Sequence, residues 1–173
     1  MRKFQDAKIE NLSEAIRIEI KKNLNTNRKE QDDQIFKKGF LISGPTGVGK
    51  TYILHALQNH FRYTMQFENW ATLLLEYKDR MENGYQGEAI ASLFNKQVLV
   101  IDDIGAEKIT EWAIERLYII INKAYERGHI MIIATNLAPD ELREKYGDRI
   151  FSRLNEMCTL LELDGDDRRM KKV

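Results

Sequence analysis

A chain of 173 residues is long enough to bury one substantial apolar core and too short for two ordinary domains. Its 27 Lys plus Arg balance 27 Asp plus Glu, so no bulk field steers it to nucleic acid or to an anionic membrane, and any such binding must come from a local patch. Cys158 is the single cysteine and His55, His60 and His129 are scattered, which excludes an internal disulfide, argues against a Cys/His zinc site and suits a reducing cytoplasm.

The opening residues, 1–9, alternate charged and apolar types, and no later stretch approaches the ~20 apolar residues of a membrane span. A soluble cytoplasmic protein without a membrane partner is expected. Asn11 followed by Glu14 resembles a capping box, and Ile16, Ile20 and Leu24 recur at helical spacing, which predicts a helix over residues 12–24 and a polar loop over 25–34. Residues 40–42 read as a short buried strand ending at Gly44, and residues 50–61 as the helix that follows. A second strand is expected at 65–67, then helices over 70–81 and about 87–95, separated by Asn83 and Gly84.

Val98-Leu99-Val100-Ile101 is a continuous apolar run, as a parallel strand buried on both faces requires, and it ends in Asp102 and Asp103. Thr110 is placed to cap a long helix in which Ala113, Leu117, Ile120, Ile121 and Ala124 share a face, and Gly128 stands where a C-terminal cap belongs. A strand over 130–134, helices over 140–146 and 150–157, a strand over 159–163 and a short basic tail complete the chain. Strands alternating with helices imply an α/β protein with a parallel sheet.

Gly44-Pro45-Thr46-Gly47-Val48-Gly49-Lys50-Thr51 fits the phosphate-loop pattern in full, with a strand before it and a helix after it. The glycines let backbone N–H groups curl towards phosphate oxygens, the following helix adds its positive end, Lys50 reaches the β- and γ-phosphates, and the Thr51 hydroxyl suits Mg²⁺. Asp102 is the candidate second support for magnesium, and Asp103 the candidate base for an attacking water. The competing role for Asp103 is a cap after the strand. Asn136, with Thr135 second, ends another apolar strand and is the candidate group for the γ-phosphate or the water, against a plain turn ahead of Pro139. ATP or ADP with Mg²⁺ is the expected ligand set.

Together the phosphate loop, the run Val98 to Gly105 and Thr135-Asn136 resemble an AAA+ ATPase, and more narrowly the bacterial replicative-helicase loaders of the DnaC/DnaI group and the related IstB transposition ATPases. Phe4-Gln5-Asp6-Ala7-Lys8, Glu111-Trp112 and Arg149-Ile150-Phe151-Ser152-Arg153-Leu154 extend the similarity over nearly the whole chain. The resemblance implies a three-layer P-loop core of the AAA+/ASCE type, with a five-stranded parallel sheet ordered 5-1-4-3-2. It implies a trans-acting arginine at Arg153, with Arg149 as runner-up and a surface pair with Glu156 as the ordinary alternative, and a sensor arginine at Arg169.

Two departures accompany the match. Asp103 stands where most AAA+ proteins carry glutamate, which implies slow turnover, and the ~20 residues after Arg153 leave no room for a full helical lid. Residues 1–35 read as a helical extension and 36–173 as the ATPase domain.

The function implied is a helicase-loader-type ATPase of DNA replication that couples ATP to assembly of a spiral or ring and to binding of single-stranded DNA and a replicative helicase. Lys78, Arg80 and Tyr85 are the candidate DNA contacts, although Glu76, Asp79 and Glu82 interleave with them as on an ordinary solvated face. The alternatives are an IstB-like ATPase acting on duplex DNA with a transposase, a nucleotide-gated assembly module with little hydrolysis, and a small-molecule kinase. The paired aspartates and Asn136 favour water over a kinase's acceptor.

Overall fold

The computed structural model describes residues 4–26, 35–61, 64–82, 90–108 and 110–167. Five strands, β1 (Gly39–Ser43), β2 (Met65–Asn69), β3 (Val98–Ile104), β4 (Ile130–Thr135) and β5 (Cys158–Glu162), form one parallel sheet in the order β2-β3-β4-β1-β5. This is the expected order, counted from the other edge. The helices whose full extent lies among the described residues are α1 (Glu14–Asn23), α2 (Lys50–Phe61), α3 (Trp70–Glu82), α4 (Glu111–Arg127), α5 (Pro139–Tyr146) and α6 (Asp148–Met157).

Successive strand residues point to opposite faces, and helices cover both, which is why β1, β3 and β4 read as unbroken apolar runs. Leu41, Leu99, Ile101, Met131 and Ile133 pack with Trp70, Leu73, Leu117, Ile121, Leu142 and Leu154 from α3 to α6. Phe40, Ile42, Val98, Val100, Ile132 and Ala134 pack on the other face with Ile53, Leu54 and Leu57 of α2 and Ile20 of α1. Truncating one of these wholly buried leucines or isoleucines to alanine costs roughly 2–5 kcal/mol.

Local chemistry sets the element ends. The Thr110 side chain accepts from the Ala113 N–H at 3.2 Å, and Gly128 closes α4 in the left-handed region, as its sequence signals require. The N-terminus differs from its expected form. Helix α1 starts at Glu14 after Ser13 with no side-chain cap bond, while Asn11 closes a 3-10 turn (Ile9–Asn11) and its Nδ2 donates to Tyr52 Oη at 3.3 Å. Docking on α2 therefore takes the side chain that a capping box would use. Asn59 Nδ2 donates to the Ala7 carbonyl at 2.9 Å, and His55 is stacked between Phe4 and Phe67 with ring centroids 4.8 and 4.6 Å away.

No helix among the described residues is long and apolar enough to cross a membrane. Cys158 is free and buried. The expected helix over 87–95 and loop over 25–34 fall partly outside the described residues, and Asn83, Gly84, Tyr85, Arg168 and Arg169 fall wholly outside them.

Candidate active site

The carboxyl ends of β1, β3 and β4 lie side by side, with Ser43 in register with Thr135 and Ile104 with Thr135. Ligand sites of open parallel sheets form at this edge. Between Ile101 and Ile104 the pairing of β3 with β4 slips, so that three steps on β3 match two on β4. The extra residue is a bulge at Asp102 and Asp103, and Asp103 adopts φ 65°, the single positive φ outside glycine among the described residues. A bulge re-aims side chains that a regular strand would send to alternate faces. Here it allows two consecutive carboxylates to serve one edge.

Lys50, only 6 % exposed, donates from Nζ to the Gly44 carbonyl at 2.6 Å, the Pro45 carbonyl at 2.8 Å and Asn136 Oδ1 at 2.6 Å. Asn136 then donates from Nδ2 to Asp103 Oδ1 at 3.0 Å. A continuous line of polar contacts thus runs from the phosphate loop through the end of β4 to the end of β3. Beside it, Thr51 Oγ1 donates to Asp102 Oδ2 at 3.0 Å. Burial raises the Asp102 carboxyl above its usual range, partly offset by the Thr51 hydrogen bond. Thr135, wholly buried, donates to the Ile104 carbonyl at 2.7 Å and so braces the bulge rather than facing the loop.

The chain returns over the phosphate loop after β5. Gly47 sits at φ 83° with the Asp167 carboxylate against its α-carbon, where any Cβ would overlap it. Only glycine satisfies both the backbone angle and that contact.

Arg153 lies on α6, away from this line. Its guanidinium is 5.3 Å from the Tyr118 ring centroid and 5.9 Å from that of Tyr125, and Nη1 donates to the Arg149 carbonyl at 3.3 Å. The alternative role, a surface pair with Glu156, is not formed; Glu156 accepts the Tyr125 hydroxyl at 2.9 Å instead. Lys78 and Arg80 are exposed on α3 among the exposed carboxylates Glu76, Asp79 and Glu82.

Sequence reasoning missed the aromatic pair Tyr118 and Tyr125, and it missed Glu107, Lys145 and Tyr146, which contact the turn after β3. Tyr118 and Tyr125 are seven positions apart on α4, a spacing that marks one helix face but not its occupant.

A family model described as IstB-like ATP binding protein matches residues 35–173. The replicative helicase loader DnaI of Bacillus subtilis (strain 168) is 25 % identical over 149 residues, covering 76 % of this chain, and the chain spans 48 % of that relative's length. Among solved structures, the DnaC helicase loader matches with a TM-score of 0.80 at 22 % identity, covering 95 % of this chain and 100 % of that one. AMPPCP-bound DnaA from Aquifex aeolicus matches with a TM-score of 0.76 at 21 % identity, covering 94 % of this chain and 51 % of that one. The fold is that of a P-loop AAA+ core.

Proposed function

The chain belongs to the IstB-like ATP-binding family, and on that premise we propose that it is a magnesium-dependent ATPase of DNA replication, of the helicase-loader type. The observation that carries this reading is the line Lys50–Asn136–Asp103 with Thr51–Asp102 beside it, which gathers the phosphate loop and two strand ends into one crevice.

In this reading the backbone amides of 44–51 and the start of α2 hold the phosphates, and Lys50 exchanges its carbonyl partners for phosphate oxygens. Thr51 and Asp102 would hold Mg²⁺. Their oxygens lie 3.0 Å apart, so a hydroxyl and a carboxylate, both hard donors suited to such an ion, converge on one place. An ion held there would neutralise charge on the phosphate oxygens. Asp103 orients the attacking water and takes its proton, while Asn136 keeps that carboxylate in line with the phosphate loop.

Arg153 serves the nucleotide of a neighbouring subunit. Support for this comes from its position on α6 and from a guanidinium that has no carboxylate partner among the described residues. Arg169 is the proposed same-subunit sensor, and the described chain leading to it already lies against Gly47 at Asp167. Residues 1–35 act as an extension on the ATPase domain 36–173. The proposed partners are further copies of the chain in a spiral or ring, a replicative helicase, and single-stranded DNA at Lys78, Arg80 and Tyr85.

A second reading, an ATPase acting on duplex DNA with a transposase, follows from the resemblance to the IstB transposition ATPases and is compatible with the IstB-like family match. Hydrolysis measured against protein concentration, with single-stranded or duplex DNA added, separates the readings. Turnover per subunit that rises with concentration and with single-stranded DNA supports the loader type, and stimulation by duplex alone supports the transposition type. Tight ATP binding without turnover under any of these conditions would leave a nucleotide-gated assembly module.

A further inference from the structure

The turn that follows Asp103 is held from a direction that the nucleotide site does not explain. Gly105, at φ 94°, lies two positions beyond Asp103, and a Cβ on it would meet Leu137 Cδ1 at 2.6 Å. Its N–H donates to Glu107 Oε2 at 3.0 Å, and its carbonyl accepts from Lys145 Nζ at 3.1 Å. The other oxygen of Glu107 accepts the Tyr146 hydroxyl at 2.6 Å. Tyr146 is 4 % exposed and is the last residue of α5, so its hydroxyl is aimed by the packing of that helix. The peptides on both sides of Gly105 are thus tied to α5, while the Thr135 hydroxyl holds the intervening Ile104 carbonyl from β4.

We propose that Glu107, Tyr146 and Lys145 are positioning residues for ATP hydrolysis, clamping the turn at Gly105 so that the bulged Asp103 keeps its left-handed backbone and presents its carboxylate to Asn136. The proposal rests on the reading of Asp103 as the group that handles the attacking water. A non-glycine residue with positive φ sits in a sparsely populated region and persists when its surroundings over-determine it. The hydrogen bonds at Gly105 and Ile104 do so here. A carboxylate that must take a proton in the transition state loses rate when displaced by a fraction of an ångström, whereas phosphate binding at Lys50 and Thr51 does not depend on it. The clamp therefore acts on turnover and not on nucleotide affinity. Tyr146 also adjoins Gly147, from which α6 and its two arginines begin, so the same turn is tied to the helix that carries Arg153.

The test is single-turnover hydrolysis of ATP with Mg²⁺ by the full chain at saturating protein, alongside the nucleotide dissociation constant and a thermal melt. Tyr146→Phe removes one hydroxyl and keeps the ring, and it is expected to lower the rate about tenfold, as loss of a hydrogen bond to a charged group does, at unchanged nucleotide affinity. Glu107→Gln and Lys145→Met provide independent variants should Tyr146→Phe fold poorly. In an Asp103→Asn background Tyr146→Phe should have no further effect on the residual rate, because it acts through that carboxylate. Wild-type rates in Tyr146→Phe and Glu107→Gln, with Asp103→Asn impaired, would overturn the clamp alone. An undiminished tenfold loss in the Asp103→Asn background would overturn it too, as the mark of a general structural role. An unimpaired Asp103→Asn would sink the ATPase reading and the clamp together.

Discussion

Lys50 and Arg153 are both cations proposed to meet the same kind of phosphate, yet the chain holds them in opposite ways. Lys50 is nearly sealed from solvent and donates to two carbonyls and an amide oxygen, so its charge is met by oxygens of its own chain. Arg153 lies over two aromatic rings, spends one N–H on a backbone carbonyl, and has a buried Nε with no partner among the described residues. A buried donor without a partner costs free energy, whereas a ring face attracts a guanidinium without using up its N–H groups. The phosphate-loop edge is finished within one chain. On the α6 face the terminal guanidinium N–H groups of Arg153, and not its buried Nε, are the ones a ligand could reach, and the proposed recipient is the nucleotide of a second copy.

The strongest way to break this contrast is Arg153→Ala. Loss of an arginine that stabilises the transition state in trans is expected to lower assembly-stimulated hydrolysis by about 10³, with nucleotide affinity unchanged. Mixing it with a Lys50→Ala chain should restore turnover at those interfaces where an intact phosphate loop faces an intact Arg153. Full stimulated turnover by Arg153→Ala alone would make the α6 face ordinary surface.

Lys50→Ala attacks the other half. It deletes a charge-assisted set of contacts and leaves the Asn136 oxygen without its donor, so ATP affinity measured by calorimetry should fall about 100-fold. The variant should still donate Arg153 to a neighbour. If it also fails as a donor in the mixing experiment, the two halves are coupled more tightly than their separate geometries imply.

How much of this was readable beforehand follows the same division. The phosphate loop, Asp102, Asp103 and Asn136 each end an apolar run, so local pattern marked them as strand ends, and the strand order that the family resemblance implies brought those ends to one edge. Thr110 and Gly128 bounded α4 for equally local reasons. The bulge left no mark, because Asp102-Asp103-Ile104 looks like the end of a regular strand and the slip arises only when β4 pairs with it. Glu107 and Tyr146 meet across 39 positions, and Asn11 left its expected capping role for a tyrosine on α2, 41 positions away. Contacts of that range come from topology rather than from periodicity. Arg153 was placed by family resemblance, and the spacing of Tyr118 and Tyr125 marked a shared helix face without showing what lies over it.

A smaller effect tests whether the arginine face depends on α4 as a rigid platform. Thr110→Ala removes the side-chain cap on the Ala113 N–H and should cost about 1 kcal/mol, a fall in Tm of about 2–4 °C for a domain of this size. ATP binding should be unaffected, since α4 contributes no group to the phosphate-loop line. A loss of affinity comparable to that of Lys50→Ala would show that the sheet edge borrows its order from α4.

The finest distinction concerns what the rings under Arg153 contribute. A cation over an aromatic face gains about 0.5–1 kcal/mol at a partly exposed site, so Tyr118→Leu should lower stimulated turnover only about two- to fivefold, and only when the variant is the arginine donor in the mixing experiment. Tyr125→Phe keeps its ring beneath the guanidinium and loses only the hydroxyl bond to Glu156, so it should leave the rate near wild type. Glu156 is then free to attract Arg153 as an ordinary surface pair. If Tyr125→Phe lowers turnover more than Tyr118→Leu does, the Tyr125 hydroxyl matters because it occupies that carboxylate. The arginine would then be kept available chiefly by denying it a partner, and only secondarily by the rings beneath it.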